Sequence, residues 1–376
     1  MKILADENMP KVEEVFAEFG EVSLCAGRDM SADDLQNTDV LLVRSITQVN
    51  QALLADSPVK FVGTATIGTD HIDLGYLKQK GIGFSNAPGC NADAVVDYVL
   101  SAIFQMADEQ DFSPADRTYG IIGVGNVGRR LQLRLEKCGF NVLLNDPPRA
   151  KNEPGFVSLE VLLKEADFIC THTPLTKQGA YPSYHLLSKN ELRSLKQNSV
   201  LLNAGRGPVI DNQALLEVGS ERPDLSFVLD VWEDEPKVGQ NLAERCSIVS
   251  PHIAGYSLEG KIRGTFMLYQ SLCDFLGTDQ NKSLVDFLPV AELNKLQQQD
   301  YSPLQIMHKV YNPLIDDSLL RETLSLESDL QQKAFDQLRK NYRIRREFSS
   351  LSISNPKQPK LLSAIGFQLA EYSELP

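Results

Sequence analysis

The amino-acid sequence predicts an α/β protein with two domains built on doubly wound parallel sheets, followed by a small C-terminal α/β domain. Three observations lead to this fold class. Short apolar runs alternate with helix-compatible stretches through the first hundred residues, which is the βαβ rhythm of a parallel sheet. A glycine-rich turn, Gly123-Val-Gly125-Asn-Val-Gly128, separates a strand-like run from a helix-like run. From about Asp286 onward glycine nearly vanishes until Gly366, so the last segment has a different character.

The strands of the first domain are predicted from its apolar runs, at 2–5, 40–43 and 60–63, with a helix over 10–19. A longer helix is predicted from about residue 91 to 103, because apolar residues recur there at helical spacing. Either Asn91 or Asp93 can cap its first turn.

The second domain begins near Thr118. Residues 118–122 predict a strand, 127–138 a helix after the glycine turn, and 141–145 a second strand that ends at Asp146. Four more buried strands are predicted at 168–171, 199–203, 227–231 and 248–250. This order completes a doubly wound sheet. In the last segment, residues 328–348 predict a charged helix or helix pair, and the run that follows predicts a strand and then a helix.

Composition excludes several classes of function. The chain has 376 residues and a net charge of −13, which argues against broad binding to nucleic acid or to anionic membranes. Neither a signal peptide nor a membrane span is expected, because the start, MKILADENMP, and the rest of the chain have no long apolar run. The six cysteines show no CxxC spacing, so we expect reduced thiols and no metal site.

The glycine turn has the context that a dinucleotide site requires. Gly123 would allow the tight turn, Gly125 the close approach of a pyrophosphate, and Gly128 the packing of helix on strand. Asp146 ends the next strand, where its carboxylate would accept hydrogen bonds from a ribose and repel a 2′-phosphate, which favours NAD over NADP. Alternatively, the glycines only shape a turn and Asp146 caps one. Thr173 follows another strand, where nicotinamide contacts are expected, although a plain loop residue fits equally well there.

Three later segments supply the parts of a hydride-transfer site. Arg206, in NAGRG, follows a buried strand, and its planar guanidinium suits a carboxylate and the oxygen on C2 of a 2-hydroxy acid. His252, in PHIAG, can carry the hydroxyl proton near neutral pH. Glu235, in WEDEP, would hold the histidine in one tautomer. Taken singly, Arg206 could form a surface salt bridge, His252 could be a structural histidine, and Glu235 could belong to a solvated acidic loop. The combination indicates a dehydrogenase.

Four segments, GIIGVGNVG, NAGRGPVID, FVLDVWEDEP and SPHIAG, resemble the D-2-hydroxyacid dehydrogenases. Four more resemble the branch of that family that acts on a phosphorylated four-carbon acid: TATIGTDHID, APGCNADAVVDYV, PHIAGYSLEGK and FDQLRKNYRIRREFSSL. The resemblance implies NAD-dependent oxidation of 4-phospho-D-erythronate to 2-oxo-3-hydroxy-4-phosphobutanoate in pyridoxal 5′-phosphate (vitamin B6) biosynthesis. It further implies a cytoplasmic homodimer.

The resemblance also implies roles for individual residues. Arg206, Glu235 and His252 match the catalytic residues, and Ser45, Thr66 and Tyr256 match substrate contacts. The positions that match cofactor contacts are Asn126, Val127, Asp146, Thr173, Asp230 and Gly255, besides the three glycines of the turn. The domains implied are a discontinuous substrate-binding domain over 1–93 and 257–285, an NAD-binding Rossmann domain over 94–256, and a dimerisation domain over 286–376.

Two alternatives stay open. One is another enzyme of this family, such as a phosphoglycerate- or glyoxylate-type dehydrogenase, and the other is an NAD-sensing binding protein. The basic cluster in the last segment suggests a further hypothesis, that one of its arginines reaches a substrate phosphate across a dimer interface. The candidates are Arg339, Arg343, Arg345 and Arg346.

Overall fold

The computed structural model describes residues 1–297 and 301–370. Its strands are β1 (Lys2–Asp6), β2 (Glu21–Cys25), β3 (Val40–Val43), β4 (Phe61–Thr64), β5 (Gly83–Asn86), β6 (Thr118–Ile122), β7 (Asn141–Asn145), β8 (Phe168–Thr171), β9 (Val200–Asn203), β10 (Ser226–Leu229), β11 (Ile248–Val249), β12 (Lys295–Gln297), β13 (Ser352–Ser354) and β14 (Gln368–Leu369).

The helices are α1 (Val12–Phe16), α2 (Gln51–Leu54), α3 (Leu74–Lys80), α4 (Ala92–Glu109), α5 (Asn126–Lys137), α6 (Pro147–Ala150), α7 (Leu159–Glu165), α8 (Lys189–Arg193), α9 (Asn212–Glu221), α10 (Gln240–Arg245), α11 (Leu258–Leu276), α12 (Pro303–Val310), α13 (Pro313–Thr323), α14 (Ser328–Lys340) and α15 (Pro359–Ile365). Within the described residues, no helix combines the length and the apolar character that crossing a membrane requires.

The chain divides into two compact units, the first made of Met1–Asn91 and Ser257–Val290. Its sheet is parallel throughout, in the order β2-β1-β3-β4-β5. Successive residues of β1 point to opposite faces, as strand geometry requires. Ile3 packs with the cluster that includes α1 and α11, and Leu4 packs with the cluster that includes α2 and α3. Helices therefore cover both faces of this sheet.

The second unit is made of Ala92–Tyr256 and Ala291–Pro376. Its large sheet is parallel, in the order β11-β10-β9-β8-β6-β7, and an isolated bridge from Leu144 to Phe156 extends the edge beyond β7. With that bridge counted as a short third strand, the order is that of a doubly wound dinucleotide-binding fold. The prediction of two such sheets is confirmed.

The C-terminal segment packs against both sides of this sheet. Helix α12 contacts α4, α13 contacts β11, and α15 contacts α5. Strands β12, β13 and β14 form a small parallel sheet of their own. The segment thus belongs to the same compact unit as the large sheet. The sequence-based division into three domains, with boundaries at 93/94, 256/257 and 285/286, stays a prediction.

Candidate active site

The glycine turn after β6 leaves no room for side chains at two of its three glycines. Gly123 has a φ of 87°, and a Cβ there would lie 2.8 Å from the backbone nitrogen of Thr173. At Gly128 a Cβ would lie 2.1 Å from the carbonyl oxygen of Gly123, so the helix packs directly on the turn. Both positions therefore require glycine, for the reasons that the sequence predicted.

The middle glycine faces open space. A Cβ at Gly125 would meet nothing within 4 Å, although Gly125 is the residue that precedes α5. The free N–H groups of the first turn of α5, which begins at Asn126 and Val127, are therefore reachable by an anion. An open cradle at the start of a twelve-residue helix fits the pyrophosphate of NAD.

The carboxylate of Asp146 shapes the turn as well as ending β7. Its Oδ2 accepts a hydrogen bond from the backbone of Val124 at 2.8 Å, and its Oδ1 accepts one from the backbone of Arg149 at 3.2 Å. Asp146 is thus a helix cap, as the alternative interpretation proposed. Each carboxylate oxygen retains a second acceptor site, so the predicted contact with a ribose stays compatible with this geometry.

Thr173 lies beside the turn, and its Oγ1 is buried without a hydrogen-bond partner among the described residues. A buried hydroxyl without a partner is an unsatisfied group that a bound cofactor could complete. Both ring nitrogens of the neighbouring His172 are buried as well, and they too have no partner in the described part of the chain. Burial of the ring lowers the pKa of His172 to about 4.

The loop that carries Arg206 is shaped by Asn203 at the end of β9. The side-chain amide of Asn203 donates to the carbonyl of Arg206 at 3.0 Å, and its oxygen accepts from the backbone of Gly205 at 3.1 Å and from Thr171 at 2.8 Å. Arg206 itself is exposed. Within the described residues, its guanidinium donates only to the carbonyl of Gly205, at 2.8 Å. Its charge is therefore available to a ligand.

The Arg206 loop lies directly against the loop that carries Glu235. A Cβ on Gly207 would be 1.9 Å from the carbonyl oxygen of Trp232, so the chains could not approach this closely with any other residue there. The backbone N–H of Trp232 in turn donates to Oε1 of Glu235 at 2.8 Å. Two of the predicted catalytic residues are thus held by loops in contact.

Glu235 and His252 form the predicted pair. Nδ1 of His252 lies 2.7 Å from Oε2 of Glu235, and the two side chains are 33% and 21% exposed. Burial alone would raise the pKa of the Glu235 carboxyl. The hydrogen bond with His252, the charge on that ring and the N–H of Trp232 outweigh burial, so the pKa of Glu235 lies below its usual value. An ionised Glu235 makes Nδ1 the protonated nitrogen and leaves the lone pair of a neutral ring on Nε2.

Asp230 fixes the backbone around His252. The carbonyl of Asp230 accepts from the N–H of His252 at 2.7 Å, and its buried carboxylate accepts from Ser250 at 2.6 Å, Ile253 at 2.8 Å and Ala254 at 3.0 Å. This network holds His252 at a φ of 57°, in the left-handed region. Asp230 thus orders the histidine loop, and its predicted contact with the cofactor stays a prediction.

The C-terminal segment supports the same loop through Arg345. Its guanidinium is buried and donates to the carbonyls of Ala94 at 2.6 Å, Ala254 at 3.0 Å and Ile253 at 3.4 Å. It also stacks over the ring of Tyr311, with 3.6 Å between the guanidinium carbon and the ring centroid. No pattern in the sequence indicates this role, because the carbonyls that Arg345 binds are far away along the chain.

His185 contacts both the loop that carries Arg206 and the loop that carries Glu235. Its Nε2 lies 2.5 Å from Oε1 of Glu233, and its Nδ1 lies 3.6 Å from Oδ2 of Asp211. Its backbone N–H donates to the carbonyl of Pro208 at 2.8 Å. One ligand atom from each of His185, Asp211 and Glu233 lies within 4.8 Å of the other two, a spacing that a metal ion could bridge. Because each ring nitrogen faces its own carboxylate, we interpret the cluster as a brace.

The predicted substrate contacts lie in both units. Ser45 is exposed in the turn after β3, and Thr66 lies just after the adjacent strand β4. The hydroxyl of Thr66 is 2.7 Å from that of Thr64 and donates to the carbonyl of Gly68 at 2.9 Å. In the second unit, Tyr256 follows the tight turn that includes Gly255. Their contact with the substrate stays a prediction.

Two protein families match separate parts of the chain. The family described as D-isomer specific 2-hydroxyacid dehydrogenase, NAD binding domain, matches residues 97–254. A second, described as a Domain of unknown function (DUF3410), matches residues 287–366. The first match contains the glycine turn, Arg206, Glu235 and His252.

Relatives of similar length are known. The chain is 48% identical over 375 residues to erythronate-4-phosphate dehydrogenase of Proteus mirabilis (strain HI4320), covering 98% of this chain and 99% of the relative. It is 47% identical over 382 residues to erythronate-4-phosphate dehydrogenase of Escherichia coli O127:H6 (strain E2348/69 / EPEC), covering 99% of both.

Solved structures show the same fold over about three quarters of the chain. NAD+-bound 3-phosphoglycerate dehydrogenase of Entamoeba histolytica superposes with a TM-score of 0.62 at 25% identity, covering 74% of this chain and 95% of that one. The TT0316 protein of Thermus thermophilus superposes with a TM-score of 0.61 at 24% identity, covering 74% and 98%.

Proposed function

The chain belongs to the erythronate-4-phosphate dehydrogenases, with the NAD-binding domain of D-isomer-specific 2-hydroxyacid dehydrogenases, and from this premise we propose that it oxidises C2 of 4-phospho-D-erythronate. The product is 2-oxo-3-hydroxy-4-phosphobutanoate, and the reaction serves pyridoxal 5′-phosphate biosynthesis. The cofactor is NAD. The observation that carries the proposal is the contact of 2.7 Å between His252 and Glu235, beside the loop of Arg206.

His252 acts as the base. Because Glu235 occupies Nδ1, Nε2 is the nitrogen that accepts the proton of the C2 hydroxyl as the alcohol becomes a ketone. The ring becomes positively charged in this step, and the carboxylate of Glu235 stabilises that charge. The hydride acceptor for C2 would be supplied by NAD when it is bound.

Arg206 binds the carboxylate next to the reacting carbon. Its exposed guanidinium has five donors and no acceptor, and its planar fork matches a carboxylate. Binding the carboxylate on C1 also brings the positive charge close to the C2 oxygen, where negative charge develops as His252 removes the hydroxyl proton. Ser45, Thr66 and Tyr256 complete the contacts with the substrate in this proposal.

The cofactor contacts follow from the open cradle of the glycine turn. Gly123, Gly125 and Gly128 with Asn126 and Val127 would hold the pyrophosphate, and Asp146 would hold the ribose. Thr173, Asp230 and Gly255 would contact the nicotinamide end of the cofactor. The support for this set is the open approach to Gly125 and the buried hydroxyl of Thr173, which has no partner among the described residues.

The proposed assembly is a cytoplasmic homodimer that forms through the C-terminal domain. Apolar side chains of that segment are exposed in the single chain, including Ile344 at 79% and Leu330 at 53%. Where exposed apolar side chains form a continuous patch, they commonly mark a subunit contact. Light scattering of the wild type and of Ile344→Asp tests this proposal, since a dimer that dissociates in the variant would support it and a monomeric wild type would contradict it.

The activity is tested by turnover of purified protein with 4-phospho-D-erythronate and NAD, with and without a 2-oxo acid that can re-oxidise the reduced cofactor. His252→Asn is the matched variant, because asparagine tolerates the φ of 57°. We expect it to lower kcat about 100-fold or more, the usual contribution of a general base.

Each outcome separates the alternatives. A preference for 3-phosphoglycerate would keep the chemistry and replace the substrate. Cofactor binding without turnover of either acid would favour the NAD-sensing protein.

A further inference from the structure

Arg339 lies beside the catalytic pair, although it belongs to the C-terminal segment. It is in the last turn of α14 (Ser328–Lys340), and its guanidinium carbon is 5.9 Å from the centroid of the Tyr256 ring. Its positive charge is also close enough to contribute to the lowered pKa of Glu235. The arginine is therefore near two residues of the proposed site, one catalytic and one expected to contact substrate.

The guanidinium of Arg339 has no hydrogen-bond or ion-pair partner within the described part of the chain, and its Nε is buried. Within the described residues no ion pair joins it to Glu235, whose two carboxylate oxygens accept from His252 and Trp232. Its two aromatic neighbours, Tyr256 and Phe335, meet the charge with their ring faces.

Other arginines of the same segment are already engaged. Arg343 pairs with the buried carboxylate of Asp316, and Arg345 donates to three backbone carbonyls. Arg346 has an interaction of its own. Of the four arginines considered from the sequence, Arg339 is thus the one with donors to spare for an anion, and it needs no dimer interface to reach the site.

The substrate of the proposed reaction is anionic at both ends, with a carboxylate on C1 and a phosphate on C4. Arg206 provides for the carboxylate, and a phosphate needs its own charged donors because its desolvation is costly. We propose that Arg339 binds the phosphate group of the substrate, so that the C-terminal segment supplies phosphate specificity to the site. This inference rests on the proposed function and deepens it.

The test compares two substrates in three variants. Arg339→Gln removes the charge, Arg339→Lys keeps it without the planar fork, and Lys340→Gln is the control, since Lys340 is the exposed neighbour on the same helix. For 4-phospho-D-erythronate we expect Arg339→Gln to raise KM about 10- to 100-fold, the range for a lost hydrogen bond to a charged group. For unphosphorylated D-erythronate, kcat/KM should stay within about two-fold, and Arg339→Lys should be intermediate.

The contrast between substrates separates phosphate binding from positioning. If Arg339 acted only by placing Tyr256 or Glu235, both substrates would lose kcat/KM equally and the pH profile would shift. Equal losses, or no loss for the phosphorylated substrate, would overturn the inference.

A second measurement does not depend on turnover. Trp232 is the one tryptophan of the chain and its backbone binds Glu235, so its fluorescence can report binding nearby. With NAD present, inorganic phosphate should give a saturable change in the wild type that weakens about 10-fold or more in Arg339→Gln. The same affinity in both proteins, or no saturable binding in the wild type, would overturn the inference. Phosphate binding by Arg339 without any oxidation of 4-phospho-D-erythronate would instead reject the proposed function alone.

Discussion

Nδ1 of His252 and Oε2 of Glu235 are 2.7 Å apart, in a pair whose second carboxylate oxygen is held by the backbone of Trp232. Both ends of the carboxylate are therefore fixed, and rotation of the imidazole would break a charge-assisted bond. The arrangement selects one tautomer of His252, with the lone pair on Nε2. Proton transfer from the C2 hydroxyl of the substrate to His252 thus depends on Glu235, although Glu235 does not itself contact that hydroxyl.

The first prediction changes this carboxylate to an amide. Glu235→Gln can present its N–H to Nδ1 and so favour the opposite tautomer, which has no lone pair on Nε2. We expect kcat to fall about 10²- to 10⁴-fold, as when the corresponding carboxylate of a serine-protease triad is replaced, with NAD affinity unchanged. Steady-state kinetics and a cofactor titration measure the two quantities. Asp234→Asn, at an exposed neighbouring position, is the control, and an equal loss in both variants would contradict the prediction.

The position of these catalytic residues could be predicted because each follows a strand. Parallel strands end at one edge of a sheet, so NAGRG after β9 and PHIAG after the strand that ends at Val249 had to lie at the same edge. The glycine turn was equally readable, since its three glycines have separate steric reasons, two of which the backbone geometry at Gly123 and Gly128 confirms.

The supporting contacts could not be predicted in the same way. Arg345 binds the carbonyls of Ala94 and Ala254, and any buried arginine needs acceptors, but the sequence does not say which of the many carbonyls supply them. The strand β2 was also missed, because its residues are mostly exposed and form no apolar run. The sequence around His185 carries no motif that indicates a role, and only the fold shows that it lies between Glu233 and Asp211.

The second prediction concerns cofactor choice. Asp146→Ser removes the charge that would repel a 2′-phosphate and keeps a side chain that can cap α6. We expect KM for NAD to rise about 10-fold, and the preference for NAD over NADP to shrink by at least as much. The repulsion is removed, and the guanidinium of Arg149, which donates to the carbonyl of Val124 at 2.6 Å, lies close enough to Asp146 to favour the added phosphate. Kinetics with both cofactors check this.

Asp146→Ala is the comparison. It lacks both the charge and the cap, so it should be about 1 kcal/mol less stable than the serine variant, which keeps the cap. If the serine variant kept its full preference for NAD, Asp146 would be a cap alone.

The third prediction concerns stability at acidic pH. His172 has a pKa of about 4 in the folded protein because its ring is buried, against 6.5 for the exposed ring. Between these values the unfolded chain binds a proton that the folded chain excludes, so stability is fully present above pH 6.5 and declines as the pH falls toward 4. The contribution of this group over that window is about 3 kcal/mol.

His172→Leu removes the titrating ring and leaves no unpaired nitrogen in the interior. Urea unfolding at several pH values should therefore show a flatter decline for the variant than for the wild type between pH 6.5 and 4. Parallel curves for the two proteins would show that the ring is charged or solvated in the folded state.

The fourth prediction tests whether the C-terminal segment supports the histidine loop. Arg345→Met leaves the carbonyls of Ala94, Ile253 and Ala254 buried without their donor, and a buried acceptor left without a donor typically costs about 1–3 kcal/mol. Because two of these carbonyls follow His252 directly, kcat should fall while KM for NAD stays near the wild-type value. Urea unfolding and steady-state kinetics measure both effects, with the exposed Lys333→Gln as control.

Arg345→Lys should restore little, since a single ammonium cannot span three carbonyls that a planar fork reaches together. A stable Arg345→Met variant with normal kcat would show that Asp230 holds the loop without help from the C-terminal segment.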